Sequence, residues 1–150
     1  MKLRTMGWAL LAAVSLAGCA SSTQVADPKT TAGLGDSKAT AIEVCRPMGQ
    51  RAYLSRLVCA DGTRPTFNRI GSFGSRMPEP KNMSKEQSSA VLEAMLSGRA
   101  LKPGEIDLHI VDGYEVSCGA VKRTLYMDMY HCQSAPPERA PAGFTLKAKN

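Results

Sequence analysis

The sequence predicts a small α+β domain, an antiparallel sheet of about five strands with one packed helix in the order ββ-α-βββ. Three observations predict it. One stretch carries both helix caps, several others alternate apolar and polar residues between turn dipeptides, and four cysteines can brace a domain too small to rely on its core alone.

Residues 51–59 alternate weakly, with Tyr53, Leu54, Leu57 and Val58 apolar, and read as a first strand; a short helix over 51–58 is the alternative. Asp61-Gly62 is a hairpin-type turn signal. Residues 63–70 then form the return strand, which Pro65 confines to a sheet edge because it lacks a backbone donor. Residues 84–97 make the helix. Ser84 can cap it, Gln87 completes a capping box, and Gly98 ends it. Val91, Leu92, Met95 and Leu96 form its apolar face.

Ile106, Leu108 and Ile110 alternate with polar residues, as a half-buried strand does. Asp112-Gly113 is a second turn signal, after which Tyr114, Val116 and Cys118 alternate again. A turn over 119–123 leads into a last strand over 125–132. The folded part spans 42–133; the proline-containing stretch 134–150 reads as a disordered tail.

The beginning of the chain carries a different message. Lys2 and Arg4 precede an apolar run from Met6 to Leu16, about the length of a signal-peptide core and too short to span a bilayer. The run ends in Leu16-Ala17-Gly18-Cys19, which resembles the lipobox of bacterial lipoproteins at all four positions. That resemblance covers only the first 19 residues. It implies a signal peptide over 1–18, lipidation (diacylglycerol and palmitate-type acyl chains) on Cys19, and a membrane-anchored, periplasm-facing protein of the cell envelope. Ala20 stands where an aspartate would imply retention at the inner membrane, which points to the outer membrane. Residues 19–41 then read as the lipidated cysteine and a flexible tether rich in Ser, Thr, Ala and Gly.

Loss of Lys2 and Arg4 with the signal takes the 19 basic residues to 17 against 13 acidic ones, so the mature chain stays basic. In an oxidising compartment the even set Cys45, Cys59, Cys118 and Cys132 predicts two disulfides. Thirteen residues separate each sequential pair, but a hairpin near Val121 places Cys118 by the turn and Cys132 far down the strand. Pairing across the two halves is easier in that geometry, and local pairing requires a bend. No CxxC pair is present, which disfavours a zinc–thiolate site.

Arg46, Arg51, Arg56, Arg64, Arg69 and Arg76 crowd one stretch in which Asp61 is the only acidic residue. Guanidinium forks recognise phosphates and carboxylates, so this stretch is the candidate surface for an anionic envelope component or a protein partner. The compartment excludes nucleic acid as the expected partner. Residues 71–76, Gly-Ser-Phe-Gly-Ser-Arg, read as a mobile loop with the weak potential of an anion-holding nest. Met127, Met129 and His131 share one face if the last strand is regular; thioethers and an imidazole suit Cu(I), making a copper-binding module the alternative function.

No catalytic motif appears. There is no nucleophile elbow and no HExxH pair, and two disulfides would leave no free thiol in the domain. His109 falls on the polar side of the predicted strand with Asp107 and is expected to be exposed. The sequence therefore reads as a non-enzymatic, lipid-anchored binding or structural domain with no resident cofactor beyond the copper alternative.

Overall fold

The computed structural model describes residues 30, 31 and 33–149. The expected signal segment, Cys19 and half of the expected tether lie outside the described residues. In chain order the elements are β1 (Thr30–Thr31), β2 (Ile42–Glu43), α1 (Arg46–Ser55), β3 (Leu57–Cys59) and β4 (Thr66–Ser75), followed by α2 (Lys85–Ser97), β5 (Ile110–Cys118), β6 (Val121–Asp128), β7 (Ala140–Pro141) and β8 (Phe144–Leu146). The class is α+β, as the sequence predicts. The main sheet has the order β2-β6-β5-β4. Its three long strands are antiparallel, and β2 joins β6 in parallel. Two short pairs, β1-β7 and β3-β8, complete the strands described.

The stretch 51–59 is a correction. Most of it belongs to α1, because Gln50, Tyr53 and Leu54 are the buried residues and fall at helical spacing. A strand would have sent Tyr53 and Leu54 to opposite faces. Pro47 in the first turn favours a helix start, since its missing N–H has no intrahelical partner there anyway. The chain enters α1 through Arg46 in the left-handed region, φ 61°, with its N–H held by the Met129 carbonyl.

The return strand does not pair with 51–59. It is β4, and it pairs with β5 from Thr66↔Ser117 to Ser75↔Ile110. The expected loop 71–76 is largely the second half of this strand, with Gly71 and Gly74 at positive φ beside two register shifts. Asp112-Gly113 is likewise no turn but the middle of β5. The glycine is there for space: a Cβ on Gly113 would stand 2.3 Å from the ring of Phe73. That ring also meets Tyr126 edge-on at 5.2 Å.

Helix α2 has the predicted ends. Ser84 and Gln87 form the reciprocal capping box, and Gly98 closes the helix at φ 62°. Its apolar face is only partly used: Ala94 is buried, whereas Leu92 and Leu96 are 53% and 73% exposed. Before β5 the predicted alternation fails, because adjacent Leu108 and His109 are both buried while Ile106 is exposed. β6 stops at Asp128, whose carboxylate accepts the N–H of Tyr130 and turns the chain out of the ladder.

The expected tail is built into the domain. β8 pairs with β3, Ala140 and Phe144 join the core, and Tyr53 donates its hydroxyl to the Arg139 carbonyl at 2.6 Å. The last part of the expected tether also belongs to the fold, since Leu34 packs on the core and Gly35 bonds to Thr40 and Tyr126. The core lies between one sheet face and α1, around Ile42, Val44, Leu54, Leu57, Val116, Leu125 and Met127. Cys45–Cys132 and Cys59–Cys118 bridge the two halves, the pairing that the strand geometry favours. Closing loops of 87 and 59 residues, each contributes about 2–5 kcal/mol by restricting the unfolded chain.

A candidate metal centre at one end of the sheet

All four strands of the main sheet contribute to one end. Glu43 closes β2, Arg76 follows β4, Asp107 and His109 precede β5, Asp128 closes β6 and His131 lies three residues on. The register brings Asp128 beside both Glu43 and Val111. Hydrogen bonds continue past the strand ends: Arg76 N–H to the His109 carbonyl at 2.9 Å, Met77 N–H to that of Asp107 at 3.0 Å, and His131 N–H to that of Val44 at 3.1 Å. The backbone under each side chain is therefore fixed.

Asp107, His109, Asp128 and His131 each offer one atom to a group whose members lie within 4.8 Å of one another. His109 Nδ1 stands 3.4 Å from His131 Nε2 and 3.3 Å from Asp128 Oδ2, which lies 3.0 Å from His131 Nε2. Asp107 adds Oδ1 at 3.2 Å from His109 Nδ1 and Oδ2 at 3.9 Å from His131 Nε2. Four ligands at zinc–nitrogen and zinc–oxygen bond lengths of about 2.0–2.2 Å have edges of roughly 3.3–3.6 Å in a tetrahedron. The separations among His109 Nδ1, Asp128 Oδ2 and His131 Nε2, 3.0–3.4 Å, lie near those edges, and Asp107 completes a looser set of four within 4.8 Å.

Arg76 covers the group. Its Nη1 is 2.7 Å from Glu43 Oε1, 3.4 Å from Asp128 Oδ2, 3.5 Å from Asp107 Oδ2 and 3.3 Å from His131 Nε2. Three carboxylates thus face one guanidinium, and with neutral imidazoles the cluster carries two uncompensated negative charges. Burial pushes the Asp128 carboxyl upward, but hydrogen bonds from both histidines and from Tyr130 outweigh it and hold the group well below the usual carboxylate range. Burial disfavours the His131 imidazolium, yet the hydrogen bond and charge of Asp128, with Glu43 and Asp107, raise its pKa above the ordinary value. The cluster's negative charge favours the protonated form of His131 more than in an isolated imidazole.

His131 also has an outer carboxylate, Glu43 Oε2, 3.7 Å from its Nδ1. Such partners orient ligating imidazoles. His109 has no equivalent, and its buried Nε2 is without a hydrogen-bond partner. Its ring is confined by Tyr130 at 5.3 Å and by the His131 ring at 5.0 Å.

Several expectations change here. His109, expected at the surface, is 2% exposed. Met127, Met129 and His131 do not meet: Met127 is in the core, Met129 packs against it, and His131 turns to the polar cluster because β6 ends at Asp128. The thioethers are thereby removed from any site with His131. Of the six arginines, Arg56 pairs with Glu138, Arg69 with Asp112 and Arg76 with the carboxylates above. Arg46, Arg51 and Arg64 are exposed and form no ion pair among the described residues. Arg51 and Arg69 line one concavity together.

A signal for the cluster was present. The chain has only two histidines, and each follows an aspartate closely, in Asp107-Leu108-His109 and Asp128-Met129-Tyr130-His131. No protein family, curated protein or solved structure compared with the chain matches it. Among the described residues no helix is long and apolar enough to cross a membrane.

Proposed function

We propose that this chain is an exported lipoprotein whose domain binds one divalent transition-metal ion of the zinc class through Asp107, His109, Asp128 and His131. The observation that carries the metal reading is the convergence of two imidazole nitrogens and two carboxylates within 4.8 Å of one another. Imidazole and carboxylate suit Zn(II) and its divalent neighbours, whereas Cu(I) prefers the sulfur ligands that lie in the core. The cluster's excess negative charge supports a dication over a second guanidinium. Export and anchoring rest on Leu16-Ala17-Gly18-Cys19, which resembles a lipobox, and two disulfides are in keeping with an oxidising compartment.

With all four groups bound the coordination is closed, which suits capture, storage or bracing better than catalysis. Metal binding requires both imidazoles neutral, so affinity is expected to fall as pH is lowered. Competitive titration against a chromogenic zinc chelator tests the reading. One zinc ion per chain is expected, with affinity lower by about tenfold or more in His131→Ala and Asp107→Asn, both partly exposed positions that tolerate change. Equal zinc affinity in the parent and both variants would remove these residues from the site.

A further inference from the structure

We infer that a second site, on the opposite face of the sheet, binds the oxyanion of a small organic phosphate or carboxylate between Arg51 and Arg69. Asp112 and Asp128 belong to opposite faces, because Asp128 is paired with Val111, the residue next to Asp112 in β5. The site is a concavity of about 430 Å³ between the first half of α1 and strands β4 and β5.

Its floor is a buried, fully oriented polar network. Tyr114 donates its hydroxyl to Gln50 Oε1 at 2.9 Å, and Gln50 Nε2 donates to Asp112 Oδ2 at 3.0 Å. Asp112 Oδ1 accepts from Arg69 Nη2 at 2.7 Å and from Ser72 Oγ at 3.2 Å. Asp112 is 3% exposed, and burying a carboxylate costs several kcal/mol before pairing. Here that carboxylate holds one guanidinium in place. Arg69 Nη2 is occupied by Asp112 and Ser72 Oγ, while its Nε–H and Nη1 have no partner among the described residues. The Arg69 side chain is 49% exposed, so its free donor edge is both fixed and accessible.

Arg51 lines the same concavity with no ion pair among the described residues, and Asn68 adds an exposed amide. Two guanidiniums outweigh one carboxylate. The first turn of α1, which borders the space through Pro47, has no acidic residue and no side-chain cap, leaving its partial positive charge unopposed. Planar forks held by buried partners bind oxyanions bidentately. Phe67 and Met129 supply an apolar wall, which fits a ligand whose acidic group is carried on a short hydrocarbon body.

Isothermal titration calorimetry of the purified full chain with inorganic phosphate, hexanoate and dihexanoyl phosphatidylglycerol below its micelle concentration tests this. At least one probe binds saturably at low salt, and its affinity falls about tenfold in Arg51→Ala and in Arg69→Lys, which keeps the charge beside Asp112 but loses the fork. Phosphate or hexanoate binding without the phosphodiester identifies a free small anion, and binding of the phosphodiester identifies a lipid headgroup. Arg64→Ala and His131→Ala leave the affinity unchanged, which separates this site from general charge and from the metal centre. Absence of saturable binding for all three probes overturns the proposal, as does an equal loss in Arg64→Ala and Arg51→Ala.

Discussion

His109 Nδ1 and His131 Nε2 stand 3.4 Å apart, from residues 22 positions apart in the chain, and both face Asp128 Oδ2. Two imidazole nitrogens at that separation, aimed at one carboxylate oxygen, share a space suited to a single cation. A ligand that binds only the folded state stabilises it, by about 2.7 kcal/mol at a free concentration one hundred times its Kd. Zinc is therefore expected to raise the melting temperature by several degrees, and chelation to reverse the rise. In His131→Ala the rise at the same zinc concentration should shrink by about half or more while the metal-free protein still unfolds cooperatively. Differential scanning calorimetry with and without zinc measures both quantities.

Gly113 has its own requirement. Phe73 occupies the place a Cβ would take, at 2.3 Å. Gly113→Ala is expected to cost about 1–3 kcal/mol through overpacking. Adding Phe73→Ala should recover part of that loss, because the two changes share one clash. Urea unfolding of the single and double variants checks the coupling; strict additivity would contradict it.

These two positions show how far the sequence could be read. Class, helix caps, the hairpin over β5 and β6 and the presence of two disulfides follow from local chemistry in Ser84, Gln87 and Gly98 and from the cysteine count, whereas the pairing of the cysteines comes from the fold. Asp112-Gly113 misled because a turn dipeptide and a close-packed strand glycine have the same local signature. His109 misled because alternation was extended through 106–109, which is irregular. The strands β7 and β8 depend on tertiary partners: Tyr53 and β3 order them, and proline content alone could not reveal that. The Asp/His cluster joins the approach to β5 with the end of β6, and Glu43 and Arg76 reach it from β2 and β4, a relation that no single window of sequence contains.

Two of the bonds that hold the C-terminal segment can be removed separately. Tyr53→Phe deletes the hydroxyl donated to Arg139 and should cost about 1 kcal/mol, with faster amide exchange in β8. Glu138 is held down to about 2, first by its hydrogen bond from Arg56 and then by that from Lys149. Its contribution is present above the ordinary glutamate range and is lost as pH falls through about 2. Glu138→Gln should abolish that acid-dependent loosening, seen as a pH-independent Phe144 chemical shift.

The disulfides differ in consequence. Cys59→Ser with Cys118→Ser should lower stability by about 2–4 kcal/mol and leave zinc affinity intact. Cys45→Ser with Cys132→Ser should lower both, because Cys132 adjoins His131 and Cys45 adjoins Val44, whose carbonyl accepts the His131 N–H. Zinc titration of the two double variants at a temperature where both are folded distinguishes them.

The proposed anchoring rests on Cys19. Cys19→Ser should shift the protein from the membrane to the soluble envelope fraction and remove the acyl mass from the N-terminal peptide. An unchanged membrane fraction would point to attachment by other means.

The proposed metal centre is tested most directly at its ligands. X-ray absorption at the zinc edge of the zinc-loaded protein should show four nitrogen and oxygen neighbours at about 2.0–2.2 Å, with the outer-shell pattern of two imidazoles. A sulfur neighbour at about 2.3 Å, an outer shell without imidazole, or no retained zinc would contradict it.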